Sequence, residues 1–238
     1  MDNYAFIDVV IAVIFTLTTV TIYQTFSWLQ KRLKLIWLNP MILSIIVLIP
    51  ILIIFNVSFE QYFSATKPLS QLLEPAVVAL GFPLYQHLKT IRSQWQSILA
   101  LLTLSSIIVI AVSTLLTLSL LALPEIAVSL SLKSVTTPIG IALTEELGGN
   151  SSITAFAIIL AGLFGALLGP SWLGFIGVVS AKAQGLAIGA ASHALGTATI
   201  SKISYEHAAY GSLSLILSAM ITALVSPILL PILLNLMI

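Results

Sequence analysis

The chain has 238 residues, 59% of them hydrophobic and 7% charged, with a formal net charge of +1. Soluble domains carry about a quarter charged residues, so this chain cannot coat a water-facing surface, and its near-neutral balance offers nothing to a nucleic acid. There is no cysteine, which excludes disulfides and thiolate metal sites.

The composition reads instead as an all-α, polytopic integral membrane protein. A single domain over 1–238 is expected to cross the lipid bilayer with about 7–8 segments, since one helical crossing takes about 20 apolar residues. The start, "MDNYAFID", is acidic, whereas a cleaved signal peptide begins positive and ends at small residues. The first apolar run is therefore expected to remain as a span. In chain order the sequence predicts a helix at about 5–30, a second at about 39–56, and a polar connection over 57–70. A third helix at about 71–88 and a fourth at about 94–122 follow. Next come a broken segment at 125–147, a fifth helix at about 151–169, a second interrupted region at 172–201, and a final helix at 206–235. Backbone groups must be satisfied internally in lipid, which favours helices throughout.

Basic residues near helix ends mark the cytoplasmic side. Lys31, Arg32 and Lys34 follow the first helix, and Lys89 and Arg92 follow the third. The N-terminus is expected outside, in a multi-pass protein of a bacterial plasma (inner) membrane. Asp8 reads as a carboxylate near the outer end of the first helix. Glu74 opens the third helix and suits its positive N-terminal dipole. With Pro75 and Pro83, that helix is expected to bend near Gly81. Tyr85 beyond the bend reads as an interface anchor.

No HExxH, CxxC, GxGxxG, Walker or GxSxG motif occurs. "GLFGALLG", Gly162 to Gly169, reads as small-residue helix packing. Two clusters stand out. "KSVTTPIG", Lys133 to Gly140, places a cation, three hydroxyls, a proline and a glycine between oily stretches. It reads as the start of a half-helix, with Thr136 or Thr137 as N-cap, Pro138 as the first helical residue and Gly140 as a close-packing position. Such a start presents free N–H groups and a partial positive charge. With Lys133 and the hydroxyls of Ser134, Thr136 and Thr137 it suits a carboxylate. The plainer alternative is an interfacial lysine followed by an ordinary capped helix. The second cluster, "GLAIGAASHALGTATIS", gathers Ser192, Gly196 and Thr197 around His193, and its plainer alternative is a hydrogen-bonded core histidine.

Two interrupted segments in comparable positions are the sequence pointer to a carrier with an inverted internal repeat. The repeats would occupy 93–238, with 1–92 as the scaffold side. Lys133 and His193 would then meet near the bilayer midplane.

"LEPAVVALGFPLY", "SLKSVTTPIGIALTEELGG", "GLFGALLGP" and "GLAIGAASHALGTA" resemble the LrgB/CidB family, from Leu38 to the last helix. The family includes bacterial holin-like and antiholin-like modulators of murein hydrolases and autolysis. It also includes the C-terminal half of the plastid glycolate/glycerate transporter. The resemblance implies a small LrgA-like membrane subunit as partner, in a homo- or hetero-oligomer, and short monocarboxylates as cargo. The chain departs from the family at Leu132, where proline is frequent, and at Gln184 and Thr199, where arginine is usual. Fewer cations leave more of any anion binding to Lys133 and the helix termini.

Three functions follow. The first is alternating-access transport of glycolate, glycerate or pyruvate-like acids. Lys133, Ser134, Thr136, Thr137, Pro138, Ser192, Gly196 and Thr197 would bind the acid. His193 would orient it or carry a co-transported proton, and no cofactor is expected. The second is a holin- or antiholin-like modulator of murein hydrolase activity and autolysis. The third, an intramembrane hydrolase using Ser192 and His193 or Glu145 and Glu146, ranks last. Adjacent helical residues point about 100° apart, and "EELGGN" reads as a solvated loop edge. The chain is expected not to be an enzyme.

Overall fold

The computed structural model describes residues 2–33, 38, 40–72, 75, 78–79 and 81–237, with side chains from Val9 onward. Expectations placed on Lys34, on Glu74 and on the side chain of Asp8 lie outside the described residues. All regular structure among the described residues is helical, and the chain divides into two compact units, 1–78 and 79–238.

In the first unit, α1 (Asp2–Leu33) carries Lys31 and Arg32 in its last turn, with the Arg32 guanidinium 5.1 Å from the centre of the Trp28 ring. α2 (Pro40–Ile54) and α3 (Phe59–Ala65) meet at a bend of 117°. A reciprocal cap starts α3: Gln61 N–H donates to Ser58 Oγ at 3.2 Å, and Ser58 N–H donates to Gln61 Oε1 at 3.0 Å. This pairing is the capping box. It makes helix where the sequence reading placed a polar connection, and α4 (Lys67–Gln71) follows. Tyr62 fastens α3 to α1 through its hydroxyl, 2.7 Å from Thr19 Oγ1, and through an edge-on contact with Phe15.

The second unit opens with α5 (Gly81–Gln86) and α6 (Leu88–Ser93). The sequence reading has one bent helix over 71–88; the described residues there form short pieces, and Tyr85 is exposed. The long helices are α7 (Trp95–Leu121), α10 (Ser151–Phe175) and α12 (Tyr205–Met237). Together with α1 they are, among the described residues, the four helices long and apolar enough to cross a membrane, or five crossings if bent α2 and α3 count as one. α10 runs through Pro170 to Phe175, past the expected end near 169.

Between the long helices lie the two interrupted segments. α8 (Pro124–Ser131) and α9 (Thr137–Glu146) are separated by residues 132–136. α11 (Ala181–Ile200) is broken at Ser192 (φ −127°, ψ 16°) and His193 (φ 41°, ψ −137°). Both segments fold back on themselves. Asn150, just after α9, donates its backbone N–H to Ser129 Oγ at 2.7 Å and its side-chain amide to Glu125 at 3.2 Å, so α9 ends beside the start of α8. In α11, a Cβ on Gly196 would stand 2.7 Å from Ile188 Cγ2. Residues eight apart in an unbroken helix are about 12 Å apart along its axis. Both arms of α11 accordingly flank the start of α12: Gln184 bonds His207, and Thr197 and Ile200 lie against Gly211.

The hairpins reach into the unit from opposite ends. The first follows the end of α7, after Ala122 turns the chain in a left-handed conformation. The second is tied to the beginning of α7 by Lys182, which donates to Gln94. The core around them joins Ile98, Leu102, Leu186 and Tyr210 at one end and Ile110, Val128, Leu132 and Leu143 at the other.

Candidate functional site

The two hairpin tips converge on one residue of α10. Ile158 Cδ1 occupies the space where Gly140 has no side chain, and the Ile158 carbonyl lies 2.8 Å from His193 Nε2. A carbonyl can only accept, so Nε2 carries a hydrogen. Glycines along α10 receive the second tip. A Cβ on Gly162 would stand 2.6 Å from His193 Cε1, and one on Gly165 would collide with the Ser192 side chain. The small-residue packing expected of "GLFGALLG" is thus what admits the break.

Each residue of the first cluster has a definite place. Thr136 is the N-cap of α9, in extended conformation (φ −72°, ψ 150°), and Pro138 stands in the first turn after Thr137. The Thr136 hydroxyl makes no cap bond. Gly140 packs closely, as expected, with Thr154 and Val135 also against it. Lys133 is half-buried and donates to Ser113 Oγ on α7 and, at 3.3 Å, to the Leu130 carbonyl at the end of α8. Its ammonium therefore serves the preceding half-helix, and the imidazole of His193 serves α10.

In the second cluster, Thr197 is fully buried and donates to the His193 carbonyl at 2.8 Å, at the start of the second arm. Gly196 lies against Ser192 and Ile188. Ser192 and His193 sit on successive glycines of α10, and neither contact makes a nucleophile–base pair. Glu145 and Glu146 are exposed at the end of α9.

Between the breaks lies a small cavity of about 10 Å³, the scale of one water molecule. Ser105, Ser106, Val109 and Ile110 of α7 line it, with Ser131 and Ser134 of the first hairpin, Ala190 just before the second break, and Ser218 and Thr222 of α12. Of these, the sequence reading singled out Ser134 alone. A signal was present: Ser214, Ser218, Thr222 and Ser226 recur every four residues in the last helix, which places them on one face.

Two further polar groups escaped the sequence reading. At the end of the unit near Gln94, His207 lies between Ser204 Oγ at 2.8 Å and Gln184 Oε1 at 3.1 Å. Lys182 stands 5.9 Å from the Tyr210 ring centre. At the opposite end Ser129 receives Asn150, and Thr144 pairs with Thr154 at 2.7 Å. The departures at Leu132, Gln184 and Thr199 have local uses. Leu132 is fully buried beside Ile110 and Val128, Gln184 serves His207 and the Val178 carbonyl, and Thr199 donates to the Leu195 carbonyl.

No solved structure matches the chain. Sequence relatives cover nearly all of it. The holin-like protein CidB of Staphylococcus epidermidis is 33% identical over 209 residues, 87% of this chain and 91% of its own length. CidB of Staphylococcus aureus is 33% identical over 213 residues, 89% and 93% of the two chains. The protein YxaC of Bacillus subtilis is 35% identical over 210 residues, 88% and 91% of the two chains. The sequence profile of the LrgB-like family matches residues 19–232, a span that contains both hairpins and the α10 glycines that hold the second tip. The chain belongs to the LrgB-like family.

Proposed function

We propose that the chain is a membrane carrier for small monocarboxylates. The observation that carries this reading is the pair of folded-back segments that enter from opposite ends and meet at Ile158. A long helix followed by a hairpin occurs twice, as α7 with 124–146 and as α10 with 181–200, in opposite directions. This arrangement supports an inverted repeat. Carriers of that design hold substrate where broken helices meet, and the halves rock around it.

At the meeting point, the start of α9 brings free N–H groups and a partial positive charge, with the Lys133 ammonium close in sequence. Those features suit a carboxylate. The acid would lie among Lys133, Ser134, Thr136, Thr137 and Pro138 from one side and Ser192, His193, Gly196 and Thr197 from the other. The cavity between the hairpins holds about one water, too little for an acid, so the hairpins must move to open room for the acid beside it. Lys89, Arg92, Lys182 and Lys202 gather at one end of the second unit, together with Glu206, and Glu125, Glu145 and Glu146 stand at the other without a cation among the described residues. The positive-inside rule puts the first end in the cytoplasm of a bacterial plasma membrane. A small LrgA-like subunit would complete the carrier.

The holin-like staphylococcal relatives support a second reading, a holin-like protein, more directly than they support the carrier. One experiment separates the two. Uptake of labelled glycolate, glycerate and pyruvate into proteoliposomes is expected to saturate and to fall at least tenfold in Lys133→Ala. Release of a trapped dye without saturation, equal in wild type and variant, favours the holin-like reading.

A further inference from the structure

The small cavity between the hairpins is faced by two helix ends of the kind that suit a cation rather than an anion. Ser131 is the last residue of α8, and Ala190 lies at the end of the first arm of α11. Both inbound half-helices therefore present their C-terminal ends to it. Each such end carries a partial negative charge. The walls add hydroxyl oxygens from Ser106, Ser131, Ser134, Ser218 and Thr222. Two of these hydroxyls already use their hydrogens on their own helices. Ser131 donates to the Val128 carbonyl at 2.7 Å and Ser218 to the Leu215 carbonyl at 3.3 Å. Their lone pairs are left for a ligand that brings positive charge.

We propose that the cavity between the two hairpins, lined by Ser106, Ser131, Ser134, Ser218 and Thr222, is a binding site for a dehydrated monovalent cation, sodium by its size. Hard oxygen donors suit such an ion. No carboxylate lines the cavity, and among the described residues no group of three or more His, Cys, Asp or Glu forms a metal site, which disfavours a divalent ion. The Lys133 ammonium is not among the groups lining the cavity and is engaged by Ser113 Oγ of α7 and the Leu130 carbonyl. The inference deepens the carrier reading and rests on it only for the ion's role, which is to couple acid movement to a sodium gradient.

The test uses the purified full chain in nanodiscs, with no acid present. Its thermal midpoint is followed by tryptophan fluorescence while sodium chloride replaces choline chloride at constant ionic strength. Sodium is expected to raise the midpoint saturably. Ser134→Ala and Thr222→Val are each expected to raise the half-saturating sodium concentration about tenfold, the usual scale for losing one bond to a charged group. Ser119→Ala, on the exposed side of α7, leaves it unchanged. Equal midpoints in sodium and choline, or equal sodium dependence in all three variants and wild type, overturn the cation site. Acid uptake without any sodium effect removes the cation site and leaves the carrier. Sodium stabilisation without acid uptake removes the carrier and leaves the site.

Discussion

The two hairpins make the same reversal by different means. The first leaves five residues, 132–136, outside any helix and restarts with a proline in the first turn. The second confines its break to Ser192 and His193. Local chemistry accounts for the first, because Pro138 fixes its own φ and a β-region residue before the helix is what an N-cap requires. Local chemistry does not account for the second. His193 sits at φ 41°, ψ −137°, where a side chain is unfavourable, and is held there by its seat against Ile158 and Gly162 of α10. A break of that kind is imposed by packing, so it should be the more brittle of the two.

The largest difference is expected between Gly189→Ala and Gly140→Ala. A methyl group at 189 runs into the Gly211 backbone, which cannot yield without moving α12. At 140 it meets the end of the Ile158 side chain, which can rotate. Overpacking costs about 1–3 kcal/mol and sometimes more. Gly189→Ala should lie at the top of that range and Gly140→Ala near the bottom, measured as melting midpoints in detergent. Equal losses would mean that α12 yields as easily as a side chain, and the proposed contrast would be lost.

His193 offers the next test. His193→Ala and His193→Gly both remove the imidazole's bond to the Ile158 carbonyl, at about 0.5–1.5 kcal/mol. In an ordinary helix interior glycine is worse than alanine by about 1 kcal/mol. Here the order should invert by about 1 kcal/mol, because the positive φ is free for glycine and strained for alanine. The same melting measurement decides it, and alanine proving the more stable would show that the break relaxes without the imidazole.

The first hairpin has a smaller counterpart in Ser129. Its hydroxyl accepts the Asn150 N–H at 2.7 Å and fastens the end of α9 to α8. Ser129→Ala should cost about 1 kcal/mol. Amide hydrogen exchange should rise at Asn150 and remain unchanged at Thr197. Faster exchange at both would mean that the hairpins open as one.

These differences track what could be read beforehand. The oily helices were legible because burial in lipid sets composition over whole segments. So was the first interruption, because Thr136, Pro138 and Gly140 act on their own backbone. The second was legible as a cluster around His193, but its fold-back depends on Gly162 and Gly165, which are 27 or more residues earlier in the chain. The capping box at Ser58 and Gln61 was local and still missed, because the polar composition of 57–70 suggested a connection. The partners of Lys133 and His193 were beyond reach. Helix-period reasoning says which face a residue occupies, and only packing says that the faces turn to α7 and α10.

The smallest expected effect concerns Thr136, the position where sequence and structure agree on the label and differ on the physics. A threonine N-cap ordinarily contributes about 1 kcal/mol through a hydroxyl that accepts from the first turn. Here the backbone is in the capping conformation, but the hydroxyl makes no such bond. Asn150, by contrast, accepts from Ser152 and Ile153 N–H at 3.1 and 3.2 Å. Thr136→Ala should therefore change stability by less than about 0.5 kcal/mol, the range of an uninvolved substitution, while Asn150→Ala costs about 1 kcal/mol. If Thr136 has its free hydroxyl for binding an acid, the same variant should weaken acid binding far more than it weakens the fold. Comparing the melting midpoint with the uptake constant of Thr136→Ala tests both. Loss of stability without loss of binding would make Thr136 a structural cap and remove it from the site.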